Sequence, residues 1–304
     1  MTGWWGGILA ASVAAGLAFT WGHRSAAGQE RSSTAAAPAP ATPCGGSEIA
    51  RGIVSRVPDG GDVVLEDGRV VHLAGIEVPP MPPTKGLGFA PGGAAARAGL
   101  EALLKDAPVL LRQAETTSDR YGRIVAYVES QRPGPASSAE AALLSAGLAR
   151  VNGEIGDRAC AQDLLHRENT ARQAGMGLWA DPYYAPIPAD SPAEVLARRG
   201  RFALVEGDVV SVHESGATLY LNFGQRWSHE FAVTIRKRNE RNFTAAGLAL
   251  KSLAGRRLRV RGWVEAHAGG VGPIAETHWH APWIEASNPA QIELVGHDEM
   301  RVTR

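Results

Sequence analysis

Three acidic residues bracket one short stretch of this chain, residues 59–80, which read DGGDVVLEDGRVVHLAGIEVPP. Asp59 and Asp62 stand before two apolar runs, and Glu77 stands after them. Strand ends that bring carboxylates together are a common way to hold a hard cation, so these three are candidate metal ligands. Two further groups carry other chemistry. Arg236-Lys237-Arg238 with Arg241, and Arg256, Arg257, Arg259 and Arg261, form two basic runs. On one face with Tyr220, Phe223 or Trp263 they would make a stacking-and-charge groove for single-stranded nucleic acid. The alternative is a solvated face balanced by Glu206, Asp208 and Glu240. His278-Trp279-His280, with Glu276 and His267, places imidazoles at alternate positions, as a transition-metal site on a strand would. A plain loop flanked by Gly and Pro is the competing reading.

What must position the first acidic group is a β-hairpin. Residues 63–65 and 70–73 are rich in strand formers and flank Glu66-Asp67-Gly68-Arg69, with Asp-Gly at the turn. Pro79-Pro80 cannot continue a strand ladder. Residues 49–57 predict a preceding strand, and 109–112 and 124–128 predict two more, joined by a turn at 119–123. Apolar spacing predicts helices over 94–104, 138–148 and 160–175, with Ser138 as an N-cap. In the last helix Leu164, Leu165 and Ala171 face inward, while Arg167, Glu168 and Arg172 face water. Residues 81–93, rich in Pro and Gly, predict a loop.

Residues 59–80 resemble the thermonuclease, or staphylococcal-nuclease-like, family, whose bacterial members read roughly DGDT-x-x-L-x-x-G-x-x-x-R-L-x-G-I-D-x-P-E. The resemblance continues through DRYGR at 119–123 with IVAY after it, GLARV at 147–151 and LLHRENTARQAGMGLW at 164–179. These blocks, in the family's order, cover about residues 49–181. The resemblance implies a five-stranded OB-like barrel with helices. It also implies phosphodiester hydrolysis by water attacking a calcium-bound phosphate, with a glutamate as general base and two arginines on the phosphate. Several of those positions differ here. The second carboxylate of DGD falls on Gly61, with Asp62 one place late; the arginine position is His72; the aspartate of GID is Glu77; and the base position is Pro80. Only Arg123 is unchanged.

Proline has no titratable group, and losing a general base removes about 10²–10⁴ in rate. Histidine lacks the planar, permanently charged fork of arginine. The catalytic set therefore contracts to Arg123 and His72, the latter donating to phosphate when protonated. Arg120, Tyr121 and Arg123 are left to touch phosphate or base, with a purely structural turn as the alternative. Calcium would be held weakly by Asp59, Asp62 and Glu77. The expected function is a nucleic-acid-binding homologue, with DNA or RNA as partner and phosphodiesterase activity lost or much reduced. One alternative is an active calcium-dependent endonuclease with a rebuilt site, in which Glu101 or Glu115 supplies the base. Another is a structural or interaction protein of the cell envelope.

At 304 residues, two domains are expected. After the nuclease-like domain (49–181) and a Pro-rich linker (182–198), residues 199–296 carry strand patterns at 202–212, 218–223, 231–235, 257–264 and 292–295, and a helix at 243–253. In RLRVRGWV at 257–264, Leu258 and Val260 share one face and the arginines the other. This order predicts a second small OB-like barrel, so the fold class is α+β, two barrels with helices. Residues 1–27 predict a signal peptide or an uncleaved anchor, and 28–48 a disordered linker. The apolar run at 8–21 is shorter than the ~18–20 residues of a membrane span, so no transmembrane bundle is expected. A periplasmic or secreted location follows. Cys44 and Cys160 belong to no CxxC, which argues against zinc. In an oxidising compartment they would bridge the start of the nuclease-like domain to its last helix, the alternative being two unrelated thiols. With 31 basic and 31 acidic residues, no global field draws in a polyanion, and any attraction must be local.

Overall fold

The hairpin forms where the apolar runs place it. Strand β2 (Asp62–Leu65) and strand β3 (Val70–Leu73) run antiparallel, with Asp62 opposite His72 and Val63 opposite Val71. Their turn places Gly68 at φ 87°, a left-handed conformation that a side chain would strain. In this computed structural model of the protein, residues 44–80, 92–132, 138–226, 229–266 and 281–296 are described. The expected signal segment, most of the linker at 28–48, most of the loop at 81–93, and the His278-Trp279-His280 group with Glu276 and His267 lie outside the described residues.

Strand β1 (Glu48–Arg56) pairs with β2 on one side. Two-residue strand β4 (Ile76–Glu77) follows the hairpin. On its other side β1 meets β5 (Pro108–Ser118), which also pairs with β6 (Ile124–Ser130). Because β6 lies parallel to β3, the five strands close into a barrel in the order β1-β2-β3-β6-β5. Inside lie Val54, Val63, Val71, Leu73, Leu111, Ala126 and Val128, all buried. Strand β5 runs 11 residues, well past the apolar stretch at 109–112 that predicts it, because pairing with β6 continues to Ser118 after pairing with β1 has stopped at Arg112.

Helices α1 (Gly93–Leu104), α2 (Ala139–Ser145) and α3 (Arg158–Gln173) pack on this barrel. Ser138 Oγ accepts the Ala141 N–H, the cap its position predicts. Helix α3 starts earlier than Cys160 because Asp157 caps it, its Oδ1 accepting the Cys160 N–H at 2.6 Å. Between α2 and α3, strand β7 (Arg150–Val151) pairs with β4, Glu77 opposite Arg150. The Cys44–Cys160 disulfide is formed, joining the segment before β1 to α3 across a separation of 116 residues. Among the described residues no helix is long and apolar enough to cross a membrane.

Downstream, the Pro-rich stretch at 182–198 is built into the fold. It supplies strand β8 (Ile187–Pro188) and helix α4 (Pro192–Leu196), and Ile187, Ala189 and Val195 enter a second core. The strand expected at 202–212 with an interruption at Gly207 is two strands, β9 (Phe202–Asp208) and β10 (Ser211–Ser215), and the break falls at Val209-Val210, after Gly207. Strands β11 (Thr218–Asn222) and β12 (Ala232–Arg236) precede helix α5 (Glu240–Ala245). That helix ends before Gly247, at φ 83°, so the helix expected at 243–253 is displaced towards the N-terminus. Strands β13 (Arg257–Trp263), β14 (Glu265–Ala266), β15 (Pro282–Glu285) and β16 (Ile292–Leu294) complete the chain.

These strands form a five-stranded sheet, β10-β11-β12-β15-β14, and a four-stranded one, β16-β13-β9-β8. The first repeats the barrel's neighbour order, with the same parallel pair in the same place, β12 beside β15. Among the described residues, however, only the N-terminal five strands close. The expected second barrel is a two-sheet arrangement in which β9 passes to β10, and β13 to β14, from one sheet to the other. Residues 40–304 cluster as one compact unit.

One face reverses expectation. The arginines of β13 do not point to water: Arg259 is buried and Arg261 is 0% exposed. Arg261 donates to both carboxylate oxygens of Glu168 on α3, at 2.9 and 2.8 Å, and to Glu293 on β16. Glu168, placed by periodicity on the solvent side of α3, is for that reason fully buried. The residue that periodicity assigned to solvent is where the nuclease-like barrel meets the second part.

Candidate functional site

The β2–β3 register sets Asp62 beside His72, and the turn from β5 to β6 delivers Arg123 to the same carboxylate. Nδ1 of His72 lies 2.6 Å from Asp62 Oδ1, and Arg123 Nη1 donates to Asp62 Oδ2 at 2.6 Å. The turn itself is organised by Asp119, whose Oδ1 accepts the N–H groups of Tyr121 and Arg123 at 2.9 and 3.0 Å. Its Oδ2 takes Arg123 Nε at 2.7 Å. One guanidinium is therefore held between two carboxylates. Burial pushes the Asp62 carboxyl up, but the hydrogen bonds from His72 and Arg123 outweigh it and hold it below the usual range. Asp119 is likewise held low, its desolvation overcome by Arg123.

The candidate metal ligands are not gathered. Asp59 Oδ1 accepts the N–H groups of Gly61 and Asp62, both at 2.8 Å, and so closes its own loop. Both oxygens of Asp62 are taken. Glu77 is half-buried on β4; burial raises its pKa, while Arg150 and His72 pull the other way. Among the described residues no group of three or more His, Cys, Asp or Glu is placed to hold a metal ion. A calcium ion needs six to eight oxygen donors, and a carboxylate whose two oxygens already bind His72 and Arg123 is a poor one. The residues present do not fit a calcium site. The two acids weighed as a replacement base are engaged elsewhere. Glu101 pairs with Arg97 and Lys105 along α1, and Glu115 lies against Gly156.

An exposed aromatic ring and two cations stand together at the turn. Tyr121 is 68% exposed, with the Arg120 guanidinium 4.9 Å and the Arg123 guanidinium 5.4 Å from its ring centroid. Among the described residues Arg120 has no ion pair, unlike Arg123. In the two basic runs of the second part, Arg238, Arg241 and Arg256 are exposed, but the other five cations are engaged within the fold. Arg236 pairs with Glu285, Lys237 with Glu214, Arg257 with Glu206 and Asp208, Arg259 with Glu206, and Arg261 is buried. Tyr220 and Phe223 lie on or beside β11, with Phe223 buried in the core.

Asp119 is the site residue that sequence reasoning missed. An aspartate three residues before Gly122 and four before Arg123 is a turn signature, and its side chain was the signal available. Arg150 was missed as well. It lies under Tyr184 and Phe202, 5.2 and 4.8 Å from their ring centroids, with Glu77 opposite it.

A closed five-stranded barrel carrying helices, with an Asp–Arg turn aimed at its β2–β3 hairpin, defines a barrel of the nuclease type. Residues 70–181 match the family model described as staphylococcal nuclease homologue. This part of the chain is a staphylococcal-nuclease-like domain. The match begins at Val70, the first residue of β3, and so leaves Asp59 and Asp62 ahead of it. No curated protein matches the chain.

Proposed function

We propose that this protein is an exported member of the thermonuclease family that binds nucleic acid and has lost most or all of its phosphodiesterase activity. The observation that carries this reading is the fate of Arg123. Its guanidinium is neutralised by Asp62 and Asp119, so it brings little net charge to a phosphate, and the base position holds Pro80. Stabilisation of developing negative charge needs donors that are free when the charge develops. Here the Nε and Nη1 groups of Arg123 are already bound to carboxylates. Binding is a milder demand, and the Arg120–Tyr121 pair meets it with one unpaired cation and one exposed ring. Export is supported by the N-terminal apolar run followed by small residues, and by a disulfide of the kind that persists in oxidising compartments.

The test joins hydrolysis to binding. Purified protein is incubated with single- and double-stranded DNA and with RNA in millimolar calcium, and the same polymers are used in gel-shift across a salt series. The expected outcome is no calcium-dependent cleavage, with binding whose logarithm falls linearly with log salt. Robust cleavage that disappears in Arg123→Ala would overturn the loss of activity. Absence of any salt-dependent binding would leave an envelope interaction protein.

A further inference from the structure

Among the described residues, a turn outside the nuclease-like site carries three arginines without carboxylate partners. Just past α4 the chain turns through Arg198-Arg199-Gly200-Arg201, with Gly200 at φ 71°. This turn is fastened to the end of β13. Arg199 bridges Val264, the Gly200 N–H donates to Val264 O at 2.8 Å, and the Val264 N–H donates to Arg201 O at 2.9 Å. The fastening holds the backbone of this turn against Val264, the residue after Trp263, and Trp263 pairs across the sheet with Phe202, the residue after Arg201. Trp263 is 51% exposed, although it is among the largest apolar side chains of the protein. Phe202 supports it edge-on from beneath, with the ring centroids 6.3 Å apart and the planes at 80°. Tyr183 is held by the same turn. Arg198 lies 3.6 Å over its ring and Arg201 Nη1 donates to its hydroxyl at 3.0 Å.

Among the described residues, Arg198, Arg199 and Arg201 have no ion pair, whereas Arg236, Lys237, Arg257, Arg259 and Arg261 all do. In a chain of zero net charge, three such guanidiniums on one turn make a local positive field. The Asp181 side chain is engaged elsewhere, accepting the Tyr183 N–H, while Glu194 and Glu265 are exposed. An exposed, rigidly backed indole asks for a flat partner, and guanidiniums ask for phosphate. A strand of unpaired nucleotides has both, at regular intervals. An anionic lipid surface offers the charge without the flat ring.

We propose that Arg198, Arg199, Arg201 and Trp263 form a second nucleic-acid contact surface, at which a base of a single strand stacks on Trp263 while the arginines take its phosphates. The proposal rests on the nucleic-acid reading above and extends it by naming the polymer as single-stranded. Its test is fluorescence anisotropy of a labelled oligothymidylate with full-length protein, beside sedimentation with phosphatidylglycerol vesicles. Trp263→Leu keeps an apolar cover over Phe202 and removes the indole; Arg199→Ala removes an exposed charge and leaves the Tyr183 contacts alone. Matched thermal midpoints establish that both variants fold.

Trp263→Leu is expected to weaken oligothymidylate binding roughly 5- to 150-fold, the range for loss of one stacked base. Arg199→Ala is expected to reduce the salt slope by about 0.7, the contribution of one phosphate contact on a single strand. If both variants bind the oligonucleotide as the wild type does, and only Arg120→Ala/Tyr121→Ala weakens it, this proposal is wrong while the functional reading stands. If the wild type binds no oligonucleotide at all, both fall. Loss of vesicle binding alone in the two variants would reassign the surface to lipid and refute the proposal.

Discussion

At the scale of single residues, the site is altered by what is absent as much as by what is present. Gly61 stands where the resemblance places a carboxylate, and its surroundings have not closed over the gap. A Cβ built there meets the His72 ring at 3.6 and 3.9 Å and Asp59 Oδ1 at 3.7 Å, ordinary contact distances, at a backbone angle open to any residue. Gly61→Asp should therefore fold, and should set a second carboxylate beside Asp59. Without metal the new like charge lowers stability by about 1 kcal/mol; with calcium the loss is recovered. Calorimetric titration is expected to give measurable calcium binding in the variant and much weaker binding in the wild type. A different residue sets a pH dependence. Glu140 is fully buried, its oxygens accepting the Val128 N–H and the Ser138 hydroxyl at 2.9 Å each, and burial pushes its pKa up to about 7. Because the folded pKa exceeds the unfolded one, the native state holds the proton longer. Stability is then greatest below the unfolded value and falls as pH rises towards 7. The loss is on the order of 3 kcal/mol. Glu140→Gln keeps an acceptor for Val128 and removes the titration. Urea unfolding at pH 5 and pH 8 should show the wild type losing stability across that interval more than the variant does.

Elements show why some of this was legible in the sequence and some was not. The hairpin, the helix cap at Ser138 and the last helix announce themselves through local chemistry: strand formers around Asp-Gly, a hydroxyl three residues before its N–H, apolar residues at helical spacing. Each is decided within a few residues of chain. Strand β5 is not, since its length beyond Arg112 comes from pairing with β6, and neither is the division at Val209 and Val210 that separates β9 from β10. The site divides along the same line. His72 and Arg123 could be nominated from motif positions, but that Asp62 would bind both, and so be removed as a metal ligand, depends on β-register and on a turn more than fifty residues away. The disulfide is the element-scale feature with the firmest consequence. Cys44 precedes β1 and Cys160 lies in the first turn of α3, so the bridge fastens an end of the barrel to the helix that meets the second part. For a loop of 116 residues the chain-entropy estimate is roughly 4–5 kcal/mol. Cys44→Ala/Cys160→Ala is expected to lower the urea midpoint by that equivalent, and reductant should do the same to the wild type while leaving the variant unmoved.

For the whole molecule the governing question is whether the barrel and the two-sheet part unfold together, and the answer turns on Arg261. It is buried with Glu168 from α3 and Glu293 from β16, it also donates to the Val151 carbonyl at 3.0 Å, and Glu168 accepts the Val151 N–H. Burial pushes against the charge of Arg261, but Glu168 and Glu293 outweigh it and hold it further towards the cationic form. The same seam is crossed by Arg150, whose Nη1 donates to Phe202 O at 3.0 Å, and by Gly153, where an added Cβ would strike the Gln291 backbone at 3.0 Å. Taking one partner out of such a cluster leaves two carboxylates desolvated and unopposed, at a cost of about 3–5 kcal/mol, whereas replacing every member by neutral groups of similar size is nearly free. Arg261→Met should therefore lower stability by that amount and split one unfolding transition into two, because the penalty falls on the seam and not within either core. Arg261→Met/Glu168→Gln/Glu293→Gln should recover a large part of the stability. Calorimetric scans of the three proteins decide it. A single transition in wild type and two in Arg261→Met make the second part a fixed extension of the nuclease-like domain, so that the Arg120–Tyr121 turn and the Trp263 surface are presented to one polymer in a constant geometry. Two transitions already in the wild type would mean that the ion cluster orients the parts without coupling their stability.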